Sequence, residues 1–264
     1  DAALADAHAR AELARRFGRR QETRVIAMAL YGSDPKYVDG CVANAKLVDA
    51  YFPTWRLRVY ADAATVPAEA LDRLRAAGAD VRARMPKSGG AAWGMFRRFF
   101  VADDPAVDRF IVRDSDSRLN PRDAFAVADW CDSSKPAHSV RDHPNHQRLL
   151  NGGLWGATRR SAVAGRVAEL AYAFEDHDSY GADLIFLERE LAPLLEPELL
   201  AHDSYSCELF PGSRPFPTRR PADFQHVGQV FDAAGEPRMG DIDGFLRGNP
   251  APAACRGEPE WTYG

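Results

Sequence analysis

Apolar residues in this chain fall into short unbroken runs, separated by stretches in which they recur every three or four positions. That is the pattern of buried strands alternating with amphipathic helices. RVIAMALYG (24–32) is a continuous apolar run ending in glycine and reads as a buried strand. In the segment that follows, Ser33 or Asp34 can cap a helix, Pro35 suits its first turn, and Val38, Cys41, Ala45 and Val48 recur at helical spacing up to Pro53. WRLRVYAD (55–62) alternates as a strand does. PAEALDRLRAAGADVRARMP predicts a helix, a stop at Gly78 and a short strand. A further helix, Ala91 to Val101, leads into a fourth strand over 107–112. The order β-α-β-α-β-α-β predicts a mostly parallel sheet covered by helices.

Beyond it, Pro121 to Trp130 predicts a helix, AHSVRD (137–142) a short strand, and LLNGGLWGATR (149–159) a glycine pair followed by a strand. Val163, Val167, Leu170 and Phe174 mark one helix; Leu184, Leu187, Leu191 and Leu195 mark another. From about Pro211 onward the chain is rich in Pro, Gly and Arg and predicts wrapping loops. Residues 1–23, rich in Ala, Arg and Glu, carry only a thin apolar stripe, which predicts a helix or linker outside the main core, followed by a single domain over 24–264.

Composition changes this picture little. With 45% hydrophobic and 27% charged residues in 264, the chain is ordinary for a globular protein. A net charge of −4, with 34 dispersed Lys and Arg, gives no general affinity for nucleic acid. No run approaches the ~18 apolar residues of a membrane span, and no basic-then-apolar leader opens the chain. It starts on Asp1, which leaves room for an upstream piece. The 4 cysteines (Cys41, Cys131, Cys207, Cys255) are far apart with no CxxC pair. They predict scattered reduced thiols and a cytoplasmic location, any membrane association being through partners. The Ala- and Arg-rich composition suggests a bacterial protein.

The candidate chemistry lies in RFIVRDSDSRLNP (109–121), where a buried strand stops at Arg113 and two aspartates follow, Asp114 and Asp116. Adjacent carboxylates repel unless a cation sits between them. At i, i+2 on a strand-to-loop turn they can share a hard divalent ion, Mg²⁺ or Mn²⁺, with substrate phosphates. Arg113 and Arg118 flank the pair and would soften the repulsion. The carboxyl end of a parallel strand is also where open α/β sheets bind ligands.

With its DxD in VDRFIVRDSDSRLNP, and with LLNGGLWGATR, DSYGADLIFLERE and DFQHVGQVFD, the sequence resembles the nucleotide-sugar glycosyltransferases of the GT-A fold over about residues 24–232. The resemblance implies a GT-A-like (Rossmann-like) three-layer α/β sandwich. It also implies a metal-dependent, hexosyltransferase-like enzyme that moves a sugar from a nucleoside-diphosphate sugar to a hydroxyl acceptor. A UDP-sugar is the expected donor, Mn²⁺ or Mg²⁺ the expected cofactor, and a carbohydrate or small molecule the expected acceptor. By the same resemblance Asp116 is the direct metal ligand, Asp114 reaches the metal or the donor ribose, and His226, in QHVGQ, matches a late third ligand found in retaining members.

The resemblance places Ala29, Leu30, Tyr31 and Asp62 within reach of the base, with edge packing for Tyr31 and a helix cap for Asp62 as the plainer alternatives. Of the adjacent Arg97 and Arg98, only one can face the diphosphate or sugar; Lys87 is another phosphate contact or a solvated loop lysine. Asn151, Gly152 and Gly153 would let the backbone approach a sugar, with Trp155 as its platform or as core. Arg141, Asp142, His143 and His146 are crowded into six residues, a density suited to sugar recognition or acceptor activation and matching no zinc pattern. Asp183, in YGADLIFL, stands where the family carries an acid facing the reaction centre, although Leu184 replaces the usual Gln. Asp183, Asp142 and His143 are therefore the catalytic candidates. The stereochemical course is open, His226 favouring retention.

Two other readings fit the same residues. FIVRDSDSR also matches the strand and D-x-D-x-[ST] of haloacid-dehalogenase-like phosphatases, in which the first Asp is a nucleophile. There the motif normally opens the catalytic domain, whereas here three β/α units precede it, and GDIDG (240–244) is a poor second motif. The other is an inactive nucleotide- or carbohydrate-binding module.

Overall fold

The computed structural model describes residues 2–19, 21–83 and 93–264. Its centre is a seven-stranded sheet in the order β3-β2-β1-β4-β6-β5-β7. The strands are β1 (Arg24–Leu30), β2 (Trp55–Ala61), β3 (Asp80–Arg82), β4 (Arg109–Val112), β5 (Ala137–Arg141), β6 (Trp155–Thr158) and β7 (Leu199–Asp203). β1 to β4 are mutually parallel and β5 is parallel to β7, while β6 runs antiparallel between β4 and β5. The chain moves outward from β1 to β2 and β3, then returns to the other side of β1 for β4. The strand order therefore reverses between β1 and β4, at their carboxyl ends.

Every residue of β1 is buried. Its alternate side chains feed two different cores, so helices must cover both faces. Ile26, Met28 and Leu30 join the core under α1 (Ala2–Phe17), α2 (Pro35–Tyr51), α3 (Ala68–Ala76) and α5 (Pro121–Asp132). Val25 and Ala27 join the core on the opposite face, with Phe96, Phe99, Trp155 and Phe186. Each fully buried Val, Leu, Ile, Met or Phe side chain among them contributes roughly 1.5–3 kcal/mol. Two caps follow the sequence signals: the Asp34 carboxylate accepts from the Lys36 N–H (2.9 Å) at the start of α2, and the Asn120 side chain accepts from the Asp123 N–H (2.9 Å) at the start of α5, each with proline at the first helical position.

Several expectations are corrected. α1 is not outside the core: Leu13 and Phe17 are fully buried, and Phe17 packs 5.9 Å from both Phe52 and Trp55. Its thin stripe suffices because two large side chains carry the contact. The helix expected over 91–101 is α-helical only as α4 (Trp93–Phe96) and continues as 3₁₀ turns over Arg97–Asp103; Lys87 and Ala91 lie outside the described residues. The strand expected from 107 starts at Arg109. Val163 is buried in a turn ahead of α6 (Val167–Ala173). The leucine-marked helix is one helical stretch, α7 (Ala182–Phe186), a π turn over Leu187–Leu191 and α8 (Ala192–Leu195). β7 was not anticipated; it follows Pro197 on the sheet edge.

The tail holds one more helix, α9 (Met239–Phe245), and a disulfide between Cys207 and Cys255, whose Cα atoms are 5.6 Å apart. This overturns the expectation of four unpaired thiols; Cys41 and Cys131 alone are free, both buried. The cytoplasmic expectation loses that premise. Among the described residues no helix is long and apolar enough to cross a membrane.

Candidate active site

At the reversal between β1 and β4 lies a cleft of about 560 Å³, lined by the last residues of β1, by Tyr31, by Asp114 to Asp116 after β4, and by Gly152 and Asp183. The two aspartates are there because β4 ends at Val112 and Arg113 turns inward. The Arg113 guanidinium is buried on Asp123 (2.8 and 2.6 Å) and donates to the Val112 carbonyl (2.7 Å). Arg113 therefore anchors the turn and does not soften the pair, contrary to expectation. Arg118 lies over the Phe231 ring (4.7 Å) and donates to the Ser117 carbonyl.

Arg118 acts on Asp116 only through space, as expected of a flanking cation; among the described residues the cations bonded directly to the pair are two others. Arg98 bonds Asp114 with one nitrogen and, with its other, Asp183 at 3.1 Å. Lys36, in the first turn of α2, meets Asp116 at 2.8 Å. Burial lowers the Lys36 pKa, but the bond to Asp116 outweighs it and the net shift is upward. Arg98 behaves the same way, desolvation being overcome by Asp114 and Asp183. Of the two adjacent arginines it is thus Arg98 that reaches the cleft, whereas Arg97 is buried with its nearest acid Asp62 at 3.7 Å. Asp62 itself caps a turn, accepting from the Ala64 N–H (3.1 Å).

The glycine pair is used against side chains. A β-carbon on Gly153 would run into the Asp114 carboxylate, and one on Gly152 would come within 3.0 Å of Arg98 Nη2 and 3.2 Å of Asp183 Oδ2. Gly94 serves Tyr31 similarly, since a β-carbon there would strike the Tyr31 ring. Burial raises the Tyr31 pKa, so the ring presents a neutral phenol to the cleft. Asp183 enters on the first turn of α7, after Gly181 in the left-handed region (φ +81°).

Other sequence candidates lie elsewhere. Trp155 is fully buried between Phe99 (5.7 Å) and Phe110 (5.4 Å), a core residue and not a sugar platform. Asn151 is buried beside the glycines and reaches the Arg148 carbonyl (3.4 Å). Asp142 is inaccessible. It accepts from Arg122 (3.0 Å, both oxygens), Arg220 (2.6 Å), Ser204 (2.8 Å) and the Val227 N–H (2.9 Å). Burial would raise its pKa, but Arg122 and Arg220 hold it well below the usual carboxylate range. With both oxygens occupied it cannot act as a base and instead ties β5 to the tail. His143 is likewise committed: Nδ1 accepts from the Asn145 N–H (3.1 Å), which puts the proton on Nε2, donated to the Asp241 carbonyl (3.2 Å).

His226 packs against His143 (ring centroids 4.7 Å apart), with Nδ1 buried and unpartnered, and burial pushes its pKa down to about 2. It is not assembled with the aspartates; among the described residues no three His, Cys, Asp or Glu side chains converge on one ion position. The expected third ligand is therefore absent from this arrangement, and with it the argument for retention. The 226–231 segment still runs beside the pair, since the Phe231 N–H donates to the Asp116 carbonyl (2.8 Å) and Val230 lines the cleft.

The donor set fits a hard divalent cation of the kind completed by phosphate oxygens and water, because such ions need only one or two protein carboxylates. Charge points the same way. Among the described residues, Asp114, Asp116 and Asp183 line the cleft with one guanidinium, that of Arg98, and Lys36 stands behind Asp116. A diphosphate would be repelled from this lining without an accompanying cation.

No family model and no curated protein matches the sequence. In structure the chain is similar to several solved glycosyltransferases. One is glucosyl-3-phosphoglycerate synthase from Mycobacterium tuberculosis (15% identity, covering 72% of each chain, TM-score 0.46). Another is mannosyl-3-phosphoglycerate synthase from Rubrobacter xylanophilus (15% identity, 73% of this chain and 68% of that one, TM-score 0.49). A third is a glycosyltransferase involved in glycosylating the major capsid of PBCV-1 (14% identity, 69% and 82%, TM-score 0.46).

Proposed function

We propose that this chain is a glycosyltransferase that takes a nucleoside-diphosphate sugar, with a UDP-sugar as the expected donor, and passes the sugar to a hydroxyl acceptor with the help of Mn²⁺ or Mg²⁺. The observation that carries the reading is the position of Asp114 and Asp116: both line the cleft at the carboxyl ends of β1 and β4, where the strand order reverses and α/β sheets bind nucleotides. Asp114 and Asp116 would hold the ion, which when bound neutralises the diphosphate and makes it a better leaving group.

The remaining roles belong to the chain. Tyr31, backed by Gly94, offers a flat neutral face to a pyrimidine. Arg98 fixes Asp114 and Asp183 at a constant separation, so Asp183 is held at the sugar end of the cleft, and it cannot swing away without unpairing a buried guanidinium. The phosphatase reading is weaker, because the strand that leads into Asp114 is the fourth of the sheet, after three β/α units, and does not open the domain.

The test is release of nucleoside diphosphate from a panel of nucleotide sugars with and without Mn²⁺, alongside thermal shift with the free nucleoside diphosphates. The expected result is stabilisation and turnover that require the cation and favour one base, with Asp116→Ala lowering turnover by about 100-fold or more. Cation-independent binding, or full turnover by Asp116→Ala, would refute the assignment.

A further inference from the structure

Two walls of the cleft continue past it. One is the loop over 145–152: Gly152 lines the cleft, and Asn145, Gln147, Arg148 and Leu150 line a second cavity of about 550 Å³. The other is the helical stretch from α7 through α8 to the 3₁₀ turn at Glu196. Leu184, Glu188, Ala192 and Glu196 stand four residues apart and so share one side of it. Leu184 lines the cleft and the other three line the cavity. The walls touch at both places: a β-carbon on Gly152 would lie 3.5 Å from Leu184, and Arg148 pairs with Glu188. Loop and helix thus leave the Asp183 end of the cleft in the same sense, and the cavity extends the cleft along them.

The cavity is held in shape. Phe210 lines it, with its ring under the Arg141 guanidinium at 4.2 Å. Arg141 is buried and fixed on Asp203 (2.5 Å) and Ser213 (2.6 Å). It also donates to the Leu149 carbonyl (3.3 Å), which accepts from the Ser139 hydroxyl as well (2.7 Å). One buried guanidinium therefore holds both the aromatic ring and the loop.

The lining restricts the occupant. Asn145 and Gln147 carry amides that donate and accept, Glu188 and Glu196 carry carboxylates that accept, and Phe210 and Pro193 supply apolar surface. A sugar ring uses all three, through its hydroxyls and its C–H faces. An extended peptide docks by adding a strand to a sheet edge, and an amphipathic helix needs an apolar groove. None of the described lining residues belongs to a strand, and the lining is mixed rather than apolar.

We propose that the acceptor is a sugar chain, whose terminal ring reacts at the Asp183 end of the cleft while a preceding ring occupies the cavity between Glu188 and Phe210. This rests on the transferase reading, and the experiment separates the two. With the full chain and Mn²⁺, nucleoside diphosphate release is measured from UDP-glucose, or from whichever nucleotide sugar turns over fastest. The acceptors are mono-, di- and trisaccharides of glucose, mannose, galactose and N-acetylglucosamine, with serine-containing peptides beside them. The expected result is that in at least one series the trisaccharide's kcat/KM exceeds the monosaccharide's by about tenfold or more. Glu188→Ala, at an exposed position, and Phe210→Ala should each cut that ratio by about fivefold or more, and Phe210→Tyr, which keeps the ring, should preserve it. Several outcomes overturn the inference: no series that favours the longer chain, acceleration by the peptides alone or by no acceptor while the donor still turns over, or a length preference that neither alanine variant changes. No breakdown of any nucleotide sugar refutes the transferase reading itself.

Discussion

Gly153 lies against the carboxylate of Asp114 with no space for a β-carbon between them. The close approach fixes where Asp114 can point, and therefore where Arg98, and through it Asp183, must sit. Gly153→Ala is expected to push Asp114 off Arg98. Nucleoside diphosphate release should fall about tenfold or more, and stability by about 1–3 kcal/mol. Steady-state kinetics and urea unfolding of the purified variant check this; unchanged turnover would show that the Asp114 position is immaterial to the reaction.

Acid should destabilise the protein well before its carboxylates titrate. His138 is fully buried, stacked on Trp130 (5.2 Å), with Nε2 2.9 Å from Nδ1 of His202. Burial, then the neighbouring His202, Arg113 and Arg109 charges, push its pKa well below 6.5. His202 is also lowered, by burial, against the pull of Asp129. Both stay neutral in the fold, while the unfolded chain takes up protons below about pH 6.5. Stability is therefore complete above that pH and declines as pH falls, by up to about 1.4 kcal/mol per pH unit for each such histidine. Urea unfolding across this range should show the slope, and His138→Phe should make it shallower. An equal slope in the variant would place the titration elsewhere.

The Cys207–Cys255 bridge closes a long loop, with a sequence separation of 48. Cys255→Ser should lower stability by about 2–4 kcal/mol. Thiol titration of the denatured chain should count Cys41 and Cys131 alone without reductant, and all 4 cysteines with it. Four reactive thiols before reduction would contradict the bridge.

Legibility followed the range of the interactions. The strands over 24–32 and 55–62 and the cap at Asp34 were readable, because apolar runs and capping side chains act within a few residues. β7 was missed because LLAHD owes its strand pairing to β5, some sixty residues earlier. At the site, Asp114, Asp116, Asp183 and Tyr31 were found from the strand ends and from family resemblance, and all four line one cleft. Lys36 was not anticipated, because nothing local to it announces Asp116. Trp155 and Asp142 were misassigned because a large aromatic or an acid in a crowded segment looks the same in sequence whether it faces a cleft or a core.

By itself the sequence determined the alternation of strands and helices, the two-sided burial of β1, and a carboxylate pair at the end of β4, all consequences of local hydrophobic pattern and short-range polarity. Only the tertiary structure decided which cations meet those carboxylates, that Asp142 is locked under two arginines, that His226 pairs with His143, and that Cys207 finds Cys255. Those outcomes depend on distances between segments far apart in the chain, which packing sets and composition does not record.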